Sequence, residues 1–498
     1  MKTVFASLNK RTPVDLFVAG FFEKEKVAKE IEALEPEFAK LAGLALEKKR
    51  FEGKFQDLFS SYSPNNKEAA EVVLFGLGQR KNHKKMCFRK AVSHIIKIAQ
   101  ARKAKTVRLL LSTFTNDVVK LEDAVQIAAE YANLASYDFD RHKSKKEDQP
   151  CVKVETLELV VSSKPTQELK ESLAYGDSVS QGNIFARDLI NEPGNVMTAE
   201  KIAELAKEMA DQKGLSCEII DQSEIEQLKM GGIVAVNQGS TTPAKLVILE
   251  YGARHKKNGT ICLVGKGVTF DTGGISIKPA KDMEKMKYDM SGAAAVISTM
   301  RVIGDLKPKV HVVALAPCVE NNVANNPIRP GDIIRMFNGK SVEVINTDAE
   351  GRLILADALS YCAKYQPKAI IDLATLTGMC AYTFGDKAIG LMTNDEKFGE
   401  KVKKAGENTG ERCWELPMWD EYAQQIKGHH SDLLNVGGSY GGTITAAKVL
   451  QEFIPEKTAW VHLDIAGTAW CDSPRYDAPK GATGIGVRLL TDLITNWK

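Results

Sequence analysis

Short apolar segments alternate with helical patterns in the second half of the chain, and this alternation restricts the possible folds more than any other feature. Five segments have the length and the Val, Ile and Leu content of buried strands: 245–249, 260–264, 310–316, 369–373 and 460–465. Strands that are apolar on both faces are typical of parallel sheets, because helices cover both sides of such a sheet. The pattern therefore predicts an α/β fold whose mainly parallel or mixed central sheet is flanked by helices.

The first third of the chain repeats this alternation on a smaller scale. At 498 residues the chain is too long for one ordinary core, so more than one domain is expected. The breaker pair Lys164-Pro165 follows a set of strand-like segments with helical patterns between them, at 14–22, 70–77, 107–111 and 152–161. We expect a smaller N-terminal α/β domain, a linker helix and a larger C-terminal α/β domain, over residues 1–165, 166–190 and 191–498.

Composition excludes several classes of protein. The 67 basic and 64 acidic residues leave a formal charge of +3, which provides no global field for nucleic acid or a membrane surface. The nine cysteines include no C-x-x-C pair, so a disulfide framework is not expected and a reducing compartment fits best. The start of the chain does not resemble a signal peptide, and no run of about 18 apolar residues occurs. We therefore expect a cytoplasmic protein without a membrane span.

The segment NTDAEGRL at 346–353 carries the strongest chemical signal. In an extended or loop segment, Asp348 and Glu350 face the same side and could both reach one pair of ions. Arg352, two residues after Glu350, would point to the same side. An apolar helical pattern follows from Leu353 to Tyr365. The segment indicates a site for metal ions and an anion, although by itself it also fits a capped helix.

Two further loops supply charged residues. Lys266 and Asp271 lie in the Gly-rich segment after the strand at 260–264, and Lys278 and Asp289 follow. Open α/β sheets bind their ligands at the carboxyl ends of strands. Singly, these residues could be caps, turns or surface charges, but gathered carboxylates would have raised pKa values unless divalent cations neutralised them. Oxygen ligands of this kind suit Mg²⁺, Mn²⁺ or Zn²⁺.

Other chemistries lack their motifs. No H-E-x-x-H occurs, so a His-rich zinc site is not expected, and we interpret the pair His429-His430 as a surface loop. A serine hydrolase is poorly supported because no G-x-S-x-G is present. Gly265 and Gly267 are followed by Phe270 where a dinucleotide fingerprint needs its third glycine, and no Walker motif aligns there.

The charged segments closely resemble the signatures of the leucyl aminopeptidase family of cytosolic dinuclear metallopeptidases. The matching segments are VGKGVTFDTGG (264–274), DMSGAAA (289–295), NTDAEGRL (346–353), RDLINEPG (187–194), DLATLTG (372–378), GGTITAA (441–447), HLDIAGTAW (462–470) and KGATG (480–484). The resemblance covers the C-terminal domain, which it implies is catalytic, and the first 165 residues match only in size and pattern. It implies hydrolysis of the N-terminal peptide bond of peptides, with Leu and other apolar first residues preferred.

The resemblance also implies a role for each charged residue. A tightly held metal would bind Lys266, Asp271, Asp289 and Glu350, and a more exchangeable one would bind Asp271, Asp348 and Glu350, both ions being Mn²⁺ or Zn²⁺. Lys278 would polarise the scissile carbonyl and stabilise the oxyanion. Arg352 would hold a bicarbonate ion that accepts the proton of a metal-bridging water. The alternative for Arg352 is a structural ion pair with Glu350.

Substrate-binding residues follow from the same resemblance. Lys278 and Asp289 would contact the peptide, and the first side chain would be lined by Met286, Thr375, Leu376 and Gly378. Met286 and Leu376 are equally well interpreted as core residues. The segment MCAY at 379–382 differs from that of many family members, which could shift specificity, and we interpret its Cys380 as a packed free thiol.

Partners follow by resemblance or remain open. The family implies a homohexamer made of two stacked trimers. The Lys-rich runs at 80–90 and 143–146 could bind nucleic acid, but with a near-neutral chain we expect them to be solvated faces. A dinuclear hydrolase that acts on a different amide also remains open.

Overall fold

Two compact α/β units make up the chain in a computed structural model, which describes residues 1–7, 13–63, 69–144, 152–161, 164–324 and 326–497. The first unit comprises Met1–Gln181 together with Pro474–Pro479. The second comprises Gly182–Ser473 and Lys480–Lys498. Strands and helices alternate in both units, so the predicted α/β class is confirmed.

The first unit is built on one six-stranded sheet. Its described strands are β1 (Lys2–Ala6), β2 (Val14–Phe22), β3 (Leu58–Tyr62), β4 (Ala69–Gly78), β5 (Thr106–Leu110) and β6 (Thr156–Val160). Its described helices are α1 (Lys29–Leu34), α2 (Pro36–Glu47), α3 (Lys85–Ala101), α4 (Leu121–Ser136) and the first part of α5 (Gln167–Asn191). The strand order is β1-β6-β5-β2-β4-β3, and every neighbouring pair is parallel except β3 with β4.

The second unit has a larger central sheet. Its described strands are β7 (Ser216–Asp221), β8 (Lys245–Tyr251), β9 (Thr260–Gly265), β10 (Gly267–Asp271), β11 (His311–Asn321), β12 (Ile333–Arg335), β13 (Ser341–Glu343), β14 (Pro367–Ala374), β15 (Ile389–Thr393), β16 (Cys413–Glu415), β17 (Leu433–Leu434), β18 (Ala459–Asp464), β19 (Trp470–Cys471) and β20 (Gly481–Ala482). Its described helices are the rest of α5, α6 (Ala199–Lys213), α7 (Gln222–Gln227), α8 (Gly231–Asn237), α9 (Ser291–Leu306), α10 (Gly351–Tyr361), α11 (Gly378–Phe384), α12 (Glu396–Thr409), α13 (Gly442–Gln451) and α14 (Val487–Thr495).

Parallel strands form the middle of this sheet, whose order is β16-β15-β18-β14-β9-β11-β8-β7 with β10 paired to β11. The neighbours β18, β14, β9 and β11 all run in the same direction, while β15, β8 and β7 add antiparallel pairs. The sheet is therefore mixed with a parallel centre, as predicted. Because the carboxyl ends of its central strands share one edge, the loops after β9, β14 and β18 meet there.

Every strand predicted from the sequence overlaps an observed strand. The nine predictions correspond to β2, β4, β5, β6, β8, β9, β11, β14 and β18. These strands are mostly buried on both faces; all six residues of β9 are buried, for example. Several strands that the sequence analysis did not predict, such as β12, β17 and β19, contain only two or three residues. Such short strands produce too little periodicity to be recognised.

The domain boundary predicted at residue 165 differs from the observed division, which falls inside α5 between Gln181 and Gly182. The first part of α5 packs tightly on α4, since a Cβ on Gly176 would lie 2.3 Å from the carbonyl oxygen of Gln126. The first unit also includes Pro474–Pro479, where the ring of Tyr476 stacks on that of Tyr131 with centroids 6.1 Å apart. Because this segment is so distant in sequence from the rest of the first unit, its local sequence does not indicate that it packs there.

Three smaller predictions can be compared with the structure. In the described part of the chain, no helix has both the length and the apolar content needed to cross a membrane. The eight described cysteines are free thiols, and Cys151 lies outside the described residues. His429 and His430 are exposed in a loop, as predicted.

Candidate metal centre

Close packing at the carboxyl ends of β9 and β14 fixes the backbone beneath the site. A Cβ on Gly292, at the start of α9, would lie 2.1 Å from the carbonyl oxygen of Leu373 and 2.7 Å from the amide nitrogen of Lys266. The Lys266 amide donates to Leu373 O at 3.0 Å, and the Ala293 amide donates to Lys266 O at 2.8 Å. The small residues at 291–295 thus allow α9 to approach these strand ends closely. This approach holds Lys266 beside Asp289, which immediately precedes α9.

Lys266 is the buried centre of one half of the site. Its Nζ lies 2.8 Å from Asp289 Oδ2 and 2.8 Å from Glu350 Oε1. The same ammonium group donates to the carbonyl oxygen of Thr375 at 2.9 Å. The hydroxyl of Thr375 donates to Asp289 Oδ1 at 2.7 Å. The loop after β14 thus contacts both Lys266 and Asp289.

Lys278 occupies the other half, closer to solvent. Its Nζ lies 2.7 Å from Asp271 Oδ2 and also pairs with Asp348. Asp271 Oδ1 accepts hydrogen bonds from the Asn321 side chain at 2.8 Å and from the Gly273 amide at 2.9 Å. These donors fix the orientation of the Asp271 carboxylate.

The predicted carboxylates converge into a set that fits divalent cations. Asp271, Asp348 and Glu350 each offer an oxygen, and the three oxygens lie within 4.8 Å of one another. Asp289 joins this set through Lys266, which contacts both it and Glu350. Within the described part of the chain, the two buried oxygens of Glu350 accept no hydrogen bond of good geometry, although one lies at ion-pair distance from Lys266. Since a buried carboxylate is normally well satisfied, these oxygens have the chemistry of metal ligands.

The pKa shifts of the clustered carboxyl groups indicate an excess of negative charge in the site. Burial raises the pKa of Asp271 to about 6, repulsion from Glu350 adds to the shift, and the two lysines oppose it. Burial also raises the pKa values of Asp289 and Asp348. These three shifts agree with the sequence-based expectation, but that for Glu350 does not: Lys266 and Lys278 outweigh burial and lower its pKa. Divalent cations would relieve the remaining repulsion.

The two lysines remain strongly protonated in this arrangement. Burial lowers the pKa of Lys266, but attraction from Asp289, Glu350 and Asp271 is larger in sum and the net shift is upward. The pKa of Lys278 is likewise raised because Asp271, Glu350 and Asp348 outweigh burial. Both side chains therefore act as counter-ions to the carboxylates.

The NTDAEGRL segment is a turn followed by a helix, which agrees with the loop alternative of the prediction and with the helical pattern after it, but not with the extended alternative. Glu350 has helical angles, with φ −80° and ψ −35°, and α10 begins at Gly351. The side chain of Asn435 secures the turn by accepting from the Ile345 amide at 2.7 Å and donating to Asn346 O at 2.7 Å. Asp348 and Glu350 approach one another because of this turn and not because of a strand's pleat.

Arg352 lies buried in the first turn of α10. Its Nη1 donates to the carbonyl oxygen of Asn435 at 2.8 Å, while its Nε has no hydrogen-bond partner in the described part of the chain. Burial lowers the pKa of Arg352 to about 10. Among the described residues it forms no ion pair with Glu350, so the structural alternative is not supported. A buried guanidinium with an unpartnered N–H beside a helix N-terminus has the character of an anion site.

The predicted substrate-pocket residues lie on two segments next to the carboxylates. Thr375 is buried and touches Asp289, Leu376 is partly buried against the main core, and Gly378 is exposed at the start of α11. Met286 is half-buried in a short 3-10 helix, Met283–Met290, that ends one residue after Asp289. Cys380 is a buried free thiol with a long contact from Sγ to Asp464 O, so its interpretation as a packed thiol is confirmed.

Three residues that support the site were not singled out from the sequence. Asn321 orients Asp271, and Asn435 secures the turn before α10. Asp464, at the end of β18, accepts from the hydroxyl of Thr377 at 2.6 Å and from the Leu376 amide at 3.3 Å. Asp464 lies within the segment HLDIAG, which gave a signal through its resemblance. The two asparagines lie in no charged cluster and gave none.

Comparison with known proteins identifies the family. Residues 184–491 match the model of the cytosol aminopeptidase family, catalytic domain, and residues 18–146 match that family's N-terminal domain. The chain belongs to the cytosol aminopeptidase family. This result confirms the resemblance to dinuclear metallopeptidases and extends it to the N-terminal region, which had matched only in size and pattern.

Relatives of this family are similar over nearly the whole chain. A protein named probable cytosol aminopeptidase from Syntrophotalea carbinolica is 42% identical over 91% of both chains, and one from Roseiflexus castenholzii is 40% identical over 99% of both. Among solved structures, the bottromycin maturation enzyme BotP in complex with Mn has a TM-score of 0.85 at 28% identity, covering 97% of this chain and 99% of its own. As a cytosol aminopeptidase family member the protein is a metal-dependent enzyme of the hydrolase class.

Two of the six basic residues in the run at 80–90 pair with carboxylates of the first unit. Arg80 pairs with Glu25 at 2.6 Å and stacks on the ring of Phe22, and Lys85 pairs with Asp123 at 2.6 Å. Such pairing favours the solvated-face interpretation over a phosphate-binding one. In the second run, Lys145 and Lys146 lie outside the described residues.

Proposed function

We propose that the protein is a leucyl aminopeptidase, which removes N-terminal residues from peptides and prefers Leu and other apolar first residues. One observation carries the proposal: four carboxylates and two lysines, from loops at one edge of the central sheet, form a single cluster that is buried except on the side of Lys278 and Asp348. Family membership supports the reaction class.

The cluster divides naturally into ligands for two divalent ions, Mn²⁺ or Zn²⁺. Lys266, Asp271, Asp289 and Glu350 would hold one ion, and Asp271, Asp348 and Glu350 the other. When bound, the ions supply Lewis acidity that activates water and polarises the peptide carbonyl. The similar structure, BotP in complex with Mn, is consistent with Mn²⁺ as one of these metals.

Lys266 must lose a proton to serve as a ligand, because only the neutral amine has a free electron pair. Its ammonium form now neutralises Asp289 and Glu350. A dication that neutralises the same carboxylates removes the reason for the raised pKa of Lys266, and metal binding then releases the proton. The carboxylates would therefore exchange the ammonium group of Lys266 for the dication as their cationic partner, and the neutral amine would become a ligand of that ion.

Lys278 and Arg352 would act on the reacting groups. Lys278 keeps its charge, since Asp271 and Asp348 hold it as an ammonium, and it would donate to the oxyanion of the tetrahedral intermediate. Arg352 would hold a bicarbonate ion through the N–H that has no protein partner. The bicarbonate would serve as the general base, so the proton has an acceptor close to the carboxylates.

The first residue of the peptide would lie between the two segments that flank Asp289. Asp289 and Lys278 would contact its polar backbone groups, while Met286, Thr375, Leu376 and Gly378 would line its side chain. The Thr375 hydroxyl holds the Asp289 carboxylate in place, since it donates to Oδ1 at 2.7 Å. The segment 375–378 would thus align the substrate amine and the side-chain pocket together.

The decisive experiment is hydrolysis of leucine amide by the full-length protein after chelation and after reloading with Mn²⁺ or Zn²⁺. Turnover that returns only with metal is the expected result, and no metal-dependent turnover would refute the proposal. Glu350→Gln should abolish both metal uptake and activity. Glu218→Gln is the matched control, because Glu218 is exposed on β7 at the far edge of the same sheet.

The family also supports proposals for assembly and location. We propose a homohexamer of stacked trimers in the cytoplasm, in line with the name that the relatives carry. Sedimentation equilibrium tests the assembly, and a monomer at micromolar concentration would contradict it. No described feature favours nucleic acid binding as a second function.

A further inference from the structure

Helix α11 carries two exposed apolar side chains. It lies directly beyond the loop that contacts the cluster of carboxylates and lysines. Met379 is 44% exposed and Tyr382 is 93% exposed. They lie three residues apart and so share one face of the helix, which we term the α11 ridge. Exposed apolar side chains beside a cleft are typical of surfaces that a ligand covers.

The position of the α11 ridge is fixed relative to the carboxylates. Thr375, three residues before α11, donates to Asp289 and accepts from Lys266. Thr377 caps the helix by accepting from the Cys380 amide at 3.2 Å, and its hydroxyl donates to Asp464 at the end of β18. The first turn of α11 is therefore anchored to the sheet edge that holds the cluster of carboxylates and lysines.

The inner face of α11 is packed, in contrast to the ridge. Cys380 is buried, and a Cβ on Gly467 would approach the Cα of Ala381 to 3.1 Å and the carbonyl oxygen of Gly385 to 2.1 Å. The loop after β18 thus presses directly on the helix. This contact leaves the helix no room to turn its ridge inward, so the exposure of the ridge is a built feature of the fold.

The ridge continues the wall of the proposed side-chain pocket. A Cβ on Gly378 would have only one neighbour within 4 Å, Cε2 of Tyr382 at 4.0 Å, so the Tyr382 ring borders the open space at Gly378. Met379 extends toward α13, since its Sδ lies 3.0 Å from the Cβ position of Gly442. A side chain that enters past Gly378 would meet the ring of Tyr382 on one side and the thioether of Met379 on the other.

We propose that Met379 and Tyr382 form the outer wall of the pocket for the first side chain of the peptide and select long apolar or aromatic residues. This inference rests on the proposed aminopeptidase function and names the specificity of that site. A Leu or Phe side chain is long enough to cover the ridge, whereas the methyl group of Ala ends short of it. The wall therefore discriminates by length, and its contribution disappears for small first residues.

The test compares substrates of increasing length on wild-type protein and three variants. Kinetics are measured with alanine amide, leucine amide and phenylalanine amide, whose leaving group is the same ammonia in each case. Tyr382→Ala should lower kcat/KM about 10-fold for phenylalanine and leucine amides, chiefly by raising KM, and leave alanine amide nearly unchanged. Met379→Ala should act in the same direction, and Tyr382→Phe should retain wild-type selectivity because the ring and not the hydroxyl makes the wall.

Trp414→Ala provides the matched control, since Trp414 is an exposed aromatic residue on the edge strand β16. An equal loss on all three amides, or no loss on any, would overturn the proposal. A change in sedimentation of Tyr382→Ala with unchanged selectivity would instead assign the ridge to contacts between copies of the chain and would also overturn it. If wild-type protein hydrolyses none of the amides, the proposed function itself fails, which is a separate result.

Discussion

Replacement of Gly292 by Ala tests whether close backbone packing creates the metal centre. Gly292 lies in the first turn of α9, where its missing side chain lets the helix touch the carboxyl ends of β9 and β14. The added Cβ would lie 2.1 Å from Leu373 O and 2.7 Å from Lys266 N, whereas ordinary contacts begin at 3.4 Å. Both neighbours are backbone atoms, so no side-chain rotation can relieve the overlap.

Relief of that overlap requires α9 and the strand ends to separate by more than 1 Å, judged from the 2.1 Å approach and the 3.4 Å contact limit. Overpacking of this kind costs about 1–3 kcal/mol of stability. The effect on function should be larger, because Asp289 precedes α9 and Lys266 follows β9. A displacement of about 1 Å in a reacting geometry costs about 100-fold in rate, and metal ligands tolerate only about 0.2 Å.

The assay for Gly292→Ala combines metal content of the dialysed protein, thermal unfolding and kcat/KM for leucine amide. Gly43→Ala is the matched control, because Gly43 is a helical glycine in α2 and, apart from the nearby backbone of its own helix, no atom of the described residues lies within 4 Å of its Cβ position. The control should keep full activity and gain about 0.5–1 kcal/mol through helix propensity. Activity of Gly292→Ala within a few-fold of wild type, with unchanged Tm, would refute the reasoning.

Three further predictions follow. Mn²⁺ at about 100 times its Kd should stabilise the wild type by about 2.7 kcal/mol, and Glu350→Gln should show no Mn²⁺-dependent rise in Tm. Thr375→Val should lower kcat/KM about 10-fold by leaving Asp289 Oδ1 without its donor, while Thr375→Ser should restore it; a fully active Val variant would contradict the role of this hydroxyl. Burial raises the pKa of Asp177 to about 6, so stability is lost as the pH rises through 6, and Asp177→Asn should raise Tm at pH 8 more than at pH 5.

The strands of the central sheet were predictable from the sequence wherever they produce a clear local pattern of apolar residues. The buried strands β9, β11 and β14 are continuous apolar runs of adequate length, so their positions and parallel arrangement could be predicted. The residues of the candidate metal centre were also recognisable, because several Asp and Lys side chains gather in loops after such strands, where open α/β sheets bind ligands. Both predictions depend on residue type and order, which the sequence states directly.

Features that depend on tertiary partners were not predictable. The spacing of Asp348, Glu350 and Arg352 fits both an extended segment and a turn that enters a helix, and only the contacts of Asn435 select the turn. Asn435 lies about 90 residues farther along the chain and carries no motif. A lone asparagine that satisfies backbone groups of another segment has the same local sequence as one in solvent.

The burial of the two lysines explains how one cluster could hold two ions of different exchange rates. The Lys266 side chain is 4% exposed and its partner Asp289 is 7% exposed, so an ion held by this pair would be enclosed. The Lys278 and Asp348 side chains are 21% and 33% exposed, so an ion that shares Asp348 would be reached by solvent. Release of an ion requires water to replace its protein ligands, and the Asp348 side is the more exposed of the two. The same access would let Lys278 meet a peptide carbonyl in the proposed reaction, whereas the enclosed Lys266 would serve as a metal ligand without contacting the substrate.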